Sequence, residues 1–196
     1  MGNRILHLIR HGDYLEGETE DGLGDSLSDR GQQQAAKLAE FYDEYRLAAI
    51  HTSPAPRAIE TARMIAERHP GLVLQRHWSL FECVPSVPPT VTPWGEPDEL
   101  SPGAVSNCRE RLDRHFDRSF KSTRGQERHE ILVCHGNVIR YFVTRALGVD
   151  ANSWVSMRCS QASVTRVVVS SGTPRFVLES LNDLSHLPAN LRAVDD

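Results

Sequence analysis

The chain has 196 residues and a formal net charge of −4. Hydrophobic residues make up 39% of it and charged residues 24%, which is typical of a globular protein with one domain, residues 1–196, and a sizeable core. The negative net charge argues against nucleic acid as a partner, since a nucleic-acid binder usually presents a broad basic face. No apolar run approaches the roughly 18 residues of a membrane-spanning helix, so no membrane partner is expected.

The cysteines are few and show no pairing pattern. They stand at positions 83, 108, 134 and 159, without a CxxC pair. Cys134 lies in an apolar run and Cys108 on a predicted helical core face, so we expect buried free thiols, which are typical of a reducing compartment. The N-terminal apolar run is too short for the hydrophobic region of a signal peptide. These features favour a cytoplasmic location.

Strand and helix patterns alternate along the chain. In chain order they predict a strand at 5–9, a helix from about 29, a strand at 47–51, a helix opening at 53–54, a strand at 72–75, a helix opening at 101–102, a strand at 131–134, a helix to about 147, and a hairpin of 164–169 with 176–181. Ser28, Ser53 and Ser101 are the predicted N-caps of the first three helices. The alternation predicts an α/β fold with a largely parallel sheet covered on both faces, and the hairpin adds an antiparallel edge.

One segment is rich in proline. Residues 83–103 carry prolines at positions 85, 88, 89, 93, 97 and 102. This density excludes a helix or a central strand. A loop of this length in a compact domain is usually functional, but a proline-stiffened surface excursion fits the pattern equally well.

Arginine and histidine residues follow three of the predicted strands. The first strand ends at Arg10-His11-Gly12, Arg57 follows the second strand, and the fourth strand ends at His135. In an open parallel sheet, ligands bind beyond the carboxyl ends of the strands. Two guanidinium and two imidazole groups at this edge would form a compact cationic cup that matches phosphate oxygens. The sequence therefore predicts a phosphate site.

These side chains suit phosphoryl transfer without a metal ion or another cofactor. A neutral imidazole at His11 can attack phosphorus, and the resulting N–P bond is readily hydrolysed. Arg10, Arg57 and a protonated His135 would neutralise the equatorial oxygens. Glu82, at the start of the proline-rich segment, is the best candidate for the acid that protonates the leaving oxygen.

Each motif also has a simpler interpretation when it is taken alone. His11 could be a capping residue, Arg57 a surface residue of a helix and Glu82 a solvated carboxylate. A zinc site on His11 and His135 lacks a further ligand at suitable spacing. The motifs of serine hydrolases, G-x-S-x-G, and of nucleotide-binding loops, GxxxxGK[ST], do not occur. Taken together, the residues favour a phosphate site.

Four blocks of the chain resemble one known family. They are LIRHG at 8–12, LSDRGQQQA at 27–35, TSPAPRAIETA at 52–62 and VCHG at 133–136. In this order they are similar to the histidine phosphatase superfamily, also called the phosphoglycerate mutase-like family. The resemblance implies a three-layer α/β/α sandwich without a metal requirement, His11 as the phospho-acceptor and Glu82 as the proton donor. It also implies that Arg10, Arg57 and His135 form the phosphate pocket.

Within this family, two stretches near the second histidine, 135–141 and 145–147, are most similar to the mitochondrial serine/threonine protein phosphatases. By this likeness Asn137 joins the edge of the phosphate pocket, although a polar residue at a helix N-terminus is equally well explained as a cap. The glycolytic mutases have Glu-Ser-x-Trp-Asn where this chain has residues 13–17, and a different block after Glu82. These departures favour transfer of the phosphoryl group to water.

The sequence thus predicts a phosphomonoester hydrolase that acts through a phosphohistidine on His11, with a phosphoprotein or a phosphorylated small molecule as substrate. One alternative is a cofactor-dependent phosphoglycerate mutase. Another, of a different class, is a non-catalytic phosphate-binding scaffold that recruits partners through its proline-rich segment. The physiological substrate and the oligomeric state, a homodimer included, are left open. Acidic residues at 16–25 either disfavour highly anionic substrates or form a solvated loop.

Overall fold

The computed structural model describes residues 2–15, 25–89 and 100–192. Three subjects of the sequence analysis fall outside these residues. They are most of the acidic stretch, positions 16 and 17 of the stretch that differs from the mutase pattern, and the central part of the proline-rich segment.

A six-stranded mixed sheet forms the centre of the fold. Its strands are β1 (Arg4–Arg10), β2 (Leu47–Thr52), β3 (Leu74–Arg76), β4 (Arg128–Cys134), β5 (Val164–Val169) and β6 (Phe176–Asp183), in the order β3-β2-β4-β1-β5-β6. The four strands from β3 to β1 in this order are parallel, whereas β5 is antiparallel to both β1 and β6. This confirms the predicted parallel sheet with an antiparallel hairpin at one edge.

Helices cover both faces of the sheet. In the described part of the chain they are α1 (Asp29–Tyr42), α2 (Pro56–Glu67), α3 (Pro102–Ser119) and α4 (Gly136–Leu147), with short 3₁₀ turns at Trp78–Leu80, Ala151–Ser156 and Ala189–Leu191. Leu38 of α1 and Ile65 of α2 pack with Ile9 on one face, and Phe142 of α4 packs with Leu8 on the other. Leu8 and Ile9 reach opposite layers because side chains alternate across a strand. None of the described helices is both long and apolar enough to cross a membrane.

Two of the predicted helix caps are present and one is not. Ser28 caps α1 and Ser101 caps α3, each accepting a hydrogen bond from a backbone N–H of the first turn. The cap predicted at Ser53 is wrong, because α2 begins two residues later, with Pro56 in its first turn. The Ser53 hydroxyl is therefore available for another partner.

The prediction of free thiols is wrong for one pair of cysteines. Cys83 and Cys108 form a disulfide, with their Cα atoms 5.9 Å apart, because α3 packs alongside the segment that follows β3. Cys134 and Cys159 are free and buried, as expected. The bonded partners are 25 residues apart in sequence, so no short spacing pattern could indicate the pairing.

The described start of the proline-rich segment packs into the protein. Val84 and Ser86 are buried, and the Ser86 hydroxyl accepts a hydrogen bond from the indole N–H of Trp154 at 2.8 Å. Arg109 of α3 donates to the carbonyl oxygen of Pro85 at 3.2 Å. These contacts favour a structural wall over a surface excursion for residues 83–86.

Candidate active site

The predicted convergence at one edge of the sheet is present. Because β1 and β4 are parallel neighbours and Arg10 is paired with Cys134, the next residues, His11 and His135, leave the sheet side by side. Their ring centroids lie 5.1 Å apart. Arg57, in the first turn of α2, reaches both rings. We call the group of Arg10, His11, Arg57 and His135 the cationic cup.

His11 is buried and held in one tautomer. Its Nδ1 lies 2.8 Å from the carbonyl oxygen of Gly12, which only accepts hydrogen bonds, so Nδ1 carries the proton. The lone pair of Nε2 then faces Arg57, whose Nε lies 3.2 Å away. Burial, followed by the charges of Arg57 and Arg10, holds the pKa of His11 well below its usual 6.5. The ring is therefore neutral, and Nε2 carries its lone pair.

His135 is fully buried and also neutral in this arrangement of charges. Its Nδ1 lies 3.4 Å from Nη2 of Arg57 and accepts, because a guanidinium group only donates; its Nε2 then donates to Oγ of Ser53 at 2.8 Å. Burial, followed by His11 and Arg57, lowers the pKa of His135 well below 6.5. The sequence-based expectation of a protonated His135 is thus wrong here, since the two arginines already supply the positive charge.

The two arginines of the cup also contact groups outside it. Arg10 donates from Nη1 to the carbonyl oxygen of Cys159 at 2.6 Å. The guanidinium carbon of Arg57 lies 4.8 Å from the centroid of the Tyr14 ring. Nε of Arg10 is buried without a hydrogen-bond partner among the described residues. Such a buried donor fits an anionic ligand, because an unpaired buried polar group is costly.

Glu82 lies beside the cup, with Oε2 at 4.0 Å from Nδ1 of His135. A third of its side chain is exposed, yet burial of the carboxyl raises its pKa from 4.5 to about 7, against the opposing effects of Arg10 and the Cys83 backbone N–H. Near neutral pH, therefore, both the protonated and the ionised form are populated. A group that first gives and later takes a proton needs both forms.

Helix α3 fixes the segment that carries Glu82 from both sides. Arg111 donates to the carbonyl oxygens of Trp78, at 2.6 Å, and of Phe81, at 2.9 Å. The disulfide at Cys83 fixes the residue that follows Glu82. The carboxyl position therefore depends on the packing of α3 and not only on the local chain.

Asn137 lies at the edge of the site, with its amide engaged by protein groups. Its Nδ2 donates to the carbonyl oxygen of Cys83 at 3.3 Å, and its Oδ1 accepts from Arg140 at 2.5 Å. These contacts tie α4 to the segment of Glu82. A direct role of Asn137 in phosphate binding stays a prediction.

Sequence analysis did not assign Ser53, Tyr14 or Thr61 to the site. Ser53 accepts the hydrogen bond of His135, and the Tyr14 ring packs edge-on against His11 with centroids 5.2 Å apart. The Thr61 hydroxyl accepts from the backbone N–H that follows His11, at 3.1 Å. Ser53 directly follows the end of β2, which was a usable signal. Tyr14 carried none, because its place depends on how the loop after β1 folds back.

The fold and the cup together define a class of protein: an α/β/α sandwich with a cationic cup around a neutral histidine, at the carboxyl edge of a mostly parallel sheet. The family model of the histidine phosphatase superfamily (branch 1) matches residues 6–84 and 89–183. The chain belongs to this superfamily, which confirms the assignment from the four sequence blocks. Among the described residues, no group of three or more His, Cys, Asp or Glu side chains is placed to hold a metal ion.

Curated relatives at about 30% identity carry phosphatase names. The chain is 32% identical over 194 residues to the mitochondrial serine/threonine-protein phosphatase Pgam5 of Drosophila grimshawi, and 29% identical over 191 residues to its namesake in Homo sapiens. The alignments cover 96% and 94% of this chain, but 66% and 64% of the relatives. The chain thus spans about two thirds of the length of these relatives.

Solved structures confirm the predicted fold. A phosphoglycerate mutase from Plasmodium falciparum matches with a TM-score of 0.62 and 24% identity, over 96% of each chain. The alpha-ribazole phosphatase from Shigella flexneri matches with a TM-score of 0.67 and 20% identity, over 91% of this chain and 96% of the other. At these identities the likeness establishes the phosphoglycerate mutase-like α/β fold.

The prediction of a cytoplasmic location is contradicted by this comparison. The relatives are named as mitochondrial proteins. The prediction depended in part on four free thiols, and two of these cysteines form a disulfide. Amino-acid composition and cysteine spacing reflect the core of a protein and do not determine the compartment in which it is located.

Proposed function

We propose that this chain is a phosphomonoester hydrolase that forms a phosphohistidine on His11 and needs no metal ion. The observation that carries the proposal is the neutral His11 ring, whose Nε2 lone pair faces a guanidinium group inside a buried cationic cup. A neutral nucleophile surrounded by fixed positive charge is suited to attack on a phosphate dianion. The phosphatase names of the relatives support hydrolysis as the overall reaction.

In the first half-reaction, Nε2 of His11 attacks phosphorus in line with the leaving oxygen. The P–O bond to the alcohol breaks, its electron pair stays on the oxygen, and protonated Glu82 supplies the proton. Arg10 and Arg57 bind the equatorial oxygens. Nε of Arg57, which hydrogen-bonds to Nε2 of His11, transfers its hydrogen bond to phosphate as substrate binds.

In the second half-reaction, water attacks the phosphohistidine. Ionised Glu82 takes a proton from the water as the N–P bond breaks, and the electron pair of that bond returns to Nε2 of His11. Inorganic phosphate leaves, while Glu82 is protonated again and His11 is neutral. A carboxyl pKa of about 7 suits both half-reactions, since neither form of Glu82 is rare at neutral pH.

We further propose phosphoserine or phosphothreonine in a protein as the substrate. The names of the relatives support this choice, and Glu82 supports it chemically, because the alkoxide of serine or threonine is a poor leaving group that needs a proton. The alternatives are a phosphorylated small molecule as substrate, a phosphoglycerate mutase and a non-catalytic scaffold, and the assay below separates the mutase and the scaffold from the proposed hydrolase.

The test is phosphate release from p-nitrophenyl phosphate and from phosphoserine peptides in the presence of EDTA. His11→Ala should lower the rate by about a thousandfold or more, because it removes the nucleophile. Arg124→Ala, an exposed arginine at the opposite edge of the sheet, is the control and should keep the wild-type rate. Acid-labile phosphate should accumulate on wild-type protein quenched during turnover.

Three results would contradict the proposal or select an alternative. Turnover that needs an added metal ion, or that survives His11→Ala, excludes the phosphohistidine mechanism. Interconversion of 2- and 3-phosphoglycerate selects the mutase. Saturable binding of a phosphopeptide without turnover selects the scaffold.

A further inference from the structure

A second cationic cleft adjoins the cup on the side of Arg10. It has a volume of about 490 Å³ and is lined by Arg10, Arg140, Val155, Ser156, Met157, Arg158 and Cys159. Arginine supplies three of these seven residues, and neither aspartate nor glutamate is among them. The cleft thus presents positive charge that its own walls do not neutralise.

Arg10 belongs to both the cup and the cleft. It donates to the carbonyl oxygen of Cys159 in the cleft wall, and its charge acts on Glu82, which lies beside the cup. The cleft therefore opens next to the position of the reacting phosphate. A ligand that spans the two sites would pass along the Arg10 guanidinium.

Arg140 supplies a fixed charge to the cleft. Its Nε donates to the carbonyl oxygen of Gly136 at 3.2 Å and its Nη2 to Asn137 at 2.5 Å. The guanidinium carbon also lies 4.7 Å from the centroid of the Trp154 ring. These contacts hold the guanidinium group of Arg140 in place at the wall of the cleft.

Arg158 is the exposed arginine of the cleft. It lies one residue before Cys159, whose carbonyl oxygen accepts a hydrogen bond from Arg10. In the described part of the chain, Arg158 makes no ion pair with a carboxylate. An exposed guanidinium group at the rim of a cationic cleft is suited to recognise a carboxylate by a bidentate contact.

We propose that this cleft binds an acidic side chain close to the phosphorylated serine or threonine of the substrate, and that Arg158 determines this specificity. The inference rests on the proposed function and extends it to a substrate class. The cup binds the reacting phosphate, so the exposed charge of Arg158 is left to recognise a second anion. An extended peptide advances about 3.3 Å per residue, so a residue within two positions of the phosphorylated one reaches the neighbouring cleft. The apolar side chains of Val155 and Met157 suit the methylene groups of glutamate.

Two phosphoserine peptides that differ only in glutamate or glutamine at the flanking positions test this specificity. Wild-type protein should show a kcat/KM about fivefold higher for the glutamate peptide, because a partly exposed ion pair contributes little more than this to binding. The difference should shrink as salt screens the charges. Arg158→Ala should abolish the preference, and Arg158→Glu should reverse it in favour of the glutamine peptide. Arg124→Ala, the exposed arginine far from the cleft, should keep the preference.

Equal kcat/KM values for the two peptides in wild-type protein overturn the proposal, and so does a preference that survives Arg158→Ala. Turnover of p-nitrophenyl phosphate without turnover of either peptide also overturns it, while the proposed hydrolase function stands. If no substrate is turned over, the proposed hydrolase function is wrong. Calorimetric binding of the two peptides to the same protein then tests whether the cleft binds an acidic side chain. Tighter binding of the glutamate peptide supports this subsite, and equal affinity overturns it.

Discussion

At the scale of single residues, burial determines the protonation state of the proposed nucleophile, His11, and the proposed general acid, Glu82. It disfavours charge on both of them, so it lowers the pKa of His11 and raises that of Glu82. Near neutral pH the His11 ring is therefore neutral and a large share of the Glu82 carboxyl is protonated. Environments that leave a base free and an acid protonated at the same pH are characteristic of active sites.

We expect kcat/KM for a phosphoserine peptide to fall above a pH of about 7. The alkoxide can leave only with a proton from Glu82, and above its pKa the protonated fraction falls about tenfold per pH unit. The measurement is a pH–rate profile across the neutral and alkaline range. A profile that stays flat above neutral pH would show that Glu82 is not the acid.

Glu82→Gln is the companion variant for this profile. It should remove the alkaline limb and lower kcat/KM for phosphoserine by about a hundredfold or more. The loss for p-nitrophenyl phosphate should be much smaller, because nitrophenolate leaves without a proton. Equal losses on the two substrates would point to a role of Glu82 in binding and not in proton transfer.

At the scale of elements, the end of β1 is positioned by the N-terminal turn of α1. A Cβ atom added to Gly31 would lie 1.8 Å from the carbonyl oxygen of Asp13. The backbone N–H of Asp13 in turn donates to the side chain of Gln34 at 2.7 Å. The chain directly after His11 thus approaches α1 so closely that only glycine fits at position 31.

Gly31→Ala should therefore destabilise the protein, although alanine is normally the better helix former. We expect a loss of about 2 kcal/mol in the free energy of unfolding, because the backbone must shift to relieve the clash, together with lower kcat from displacement of His11. Urea denaturation and p-nitrophenyl phosphate kinetics measure the two effects.

Gly103→Ala is the matched control, since Gly103 lies in the first turn of α3 with no atom within 4 Å of an added Cβ. It should leave stability unchanged or raise it. If Gly31→Ala were as stable as Gly103→Ala, the close approach of α1 to the end of β1 would be refuted.

At the scale of the whole molecule, stability depends on histidines that are neutral when folded. Burial lowers the pKa of His7 to about 3 and that of His115 to about 4. His51 and His186 are also lowered to about 4, and His11, His77 and His135 are shifted in the same direction. The folded core of this protein is therefore sensitive to acid.

We expect the free energy of unfolding to fall as the pH drops below about 6.5. Between this value and the folded pKa near 4, the unfolded chain binds protons that the folded chain does not, and each fully buried histidine contributes a slope of about 1.4 kcal/mol per pH unit at most. The raised pKa of Glu82 changes stability in the opposite direction as the pH falls, but it involves a single carboxyl group, whereas several histidines have lowered pKa values.

Urea denaturation at a series of pH values from about 7.5 to 4.5 measures this dependence. His115→Gln should reduce the slope, because glutamine keeps a polar side chain between Ser79 and Ser119 but does not titrate. Stability that is independent of pH over this range would show that the histidines are not neutral in the fold.

Local patterns in the sequence carried much of the architecture. The apolar runs and helical stripes predicted the β-strands and α-helices of the described residues to within a few residues, and the parallel arrangement then brought His11, Arg57 and His135 to one edge. The cap predicted at Ser53 is wrong because α2 begins at Pro56, and the Ser53 hydroxyl instead accepts from the imidazole of His135, which follows a different strand. Local preference determines an element only where no distant group competes for the same atoms.

The sequence by itself determined the superfamily, the α/β fold and the residues of the cationic cup, because periodicity and short motifs are local properties of the chain. Only the tertiary structure decided the pairing of Cys83 with Cys108, the neutral state of His135 and the cleft that Arg158 shares with Arg10. Each of these depends on groups that are distant in sequence: a disulfide needs two Cα atoms at the right separation, and a pKa responds to every charge and to the depth of burial around the group. These distances and electrostatic contributions are defined only when the chain has folded.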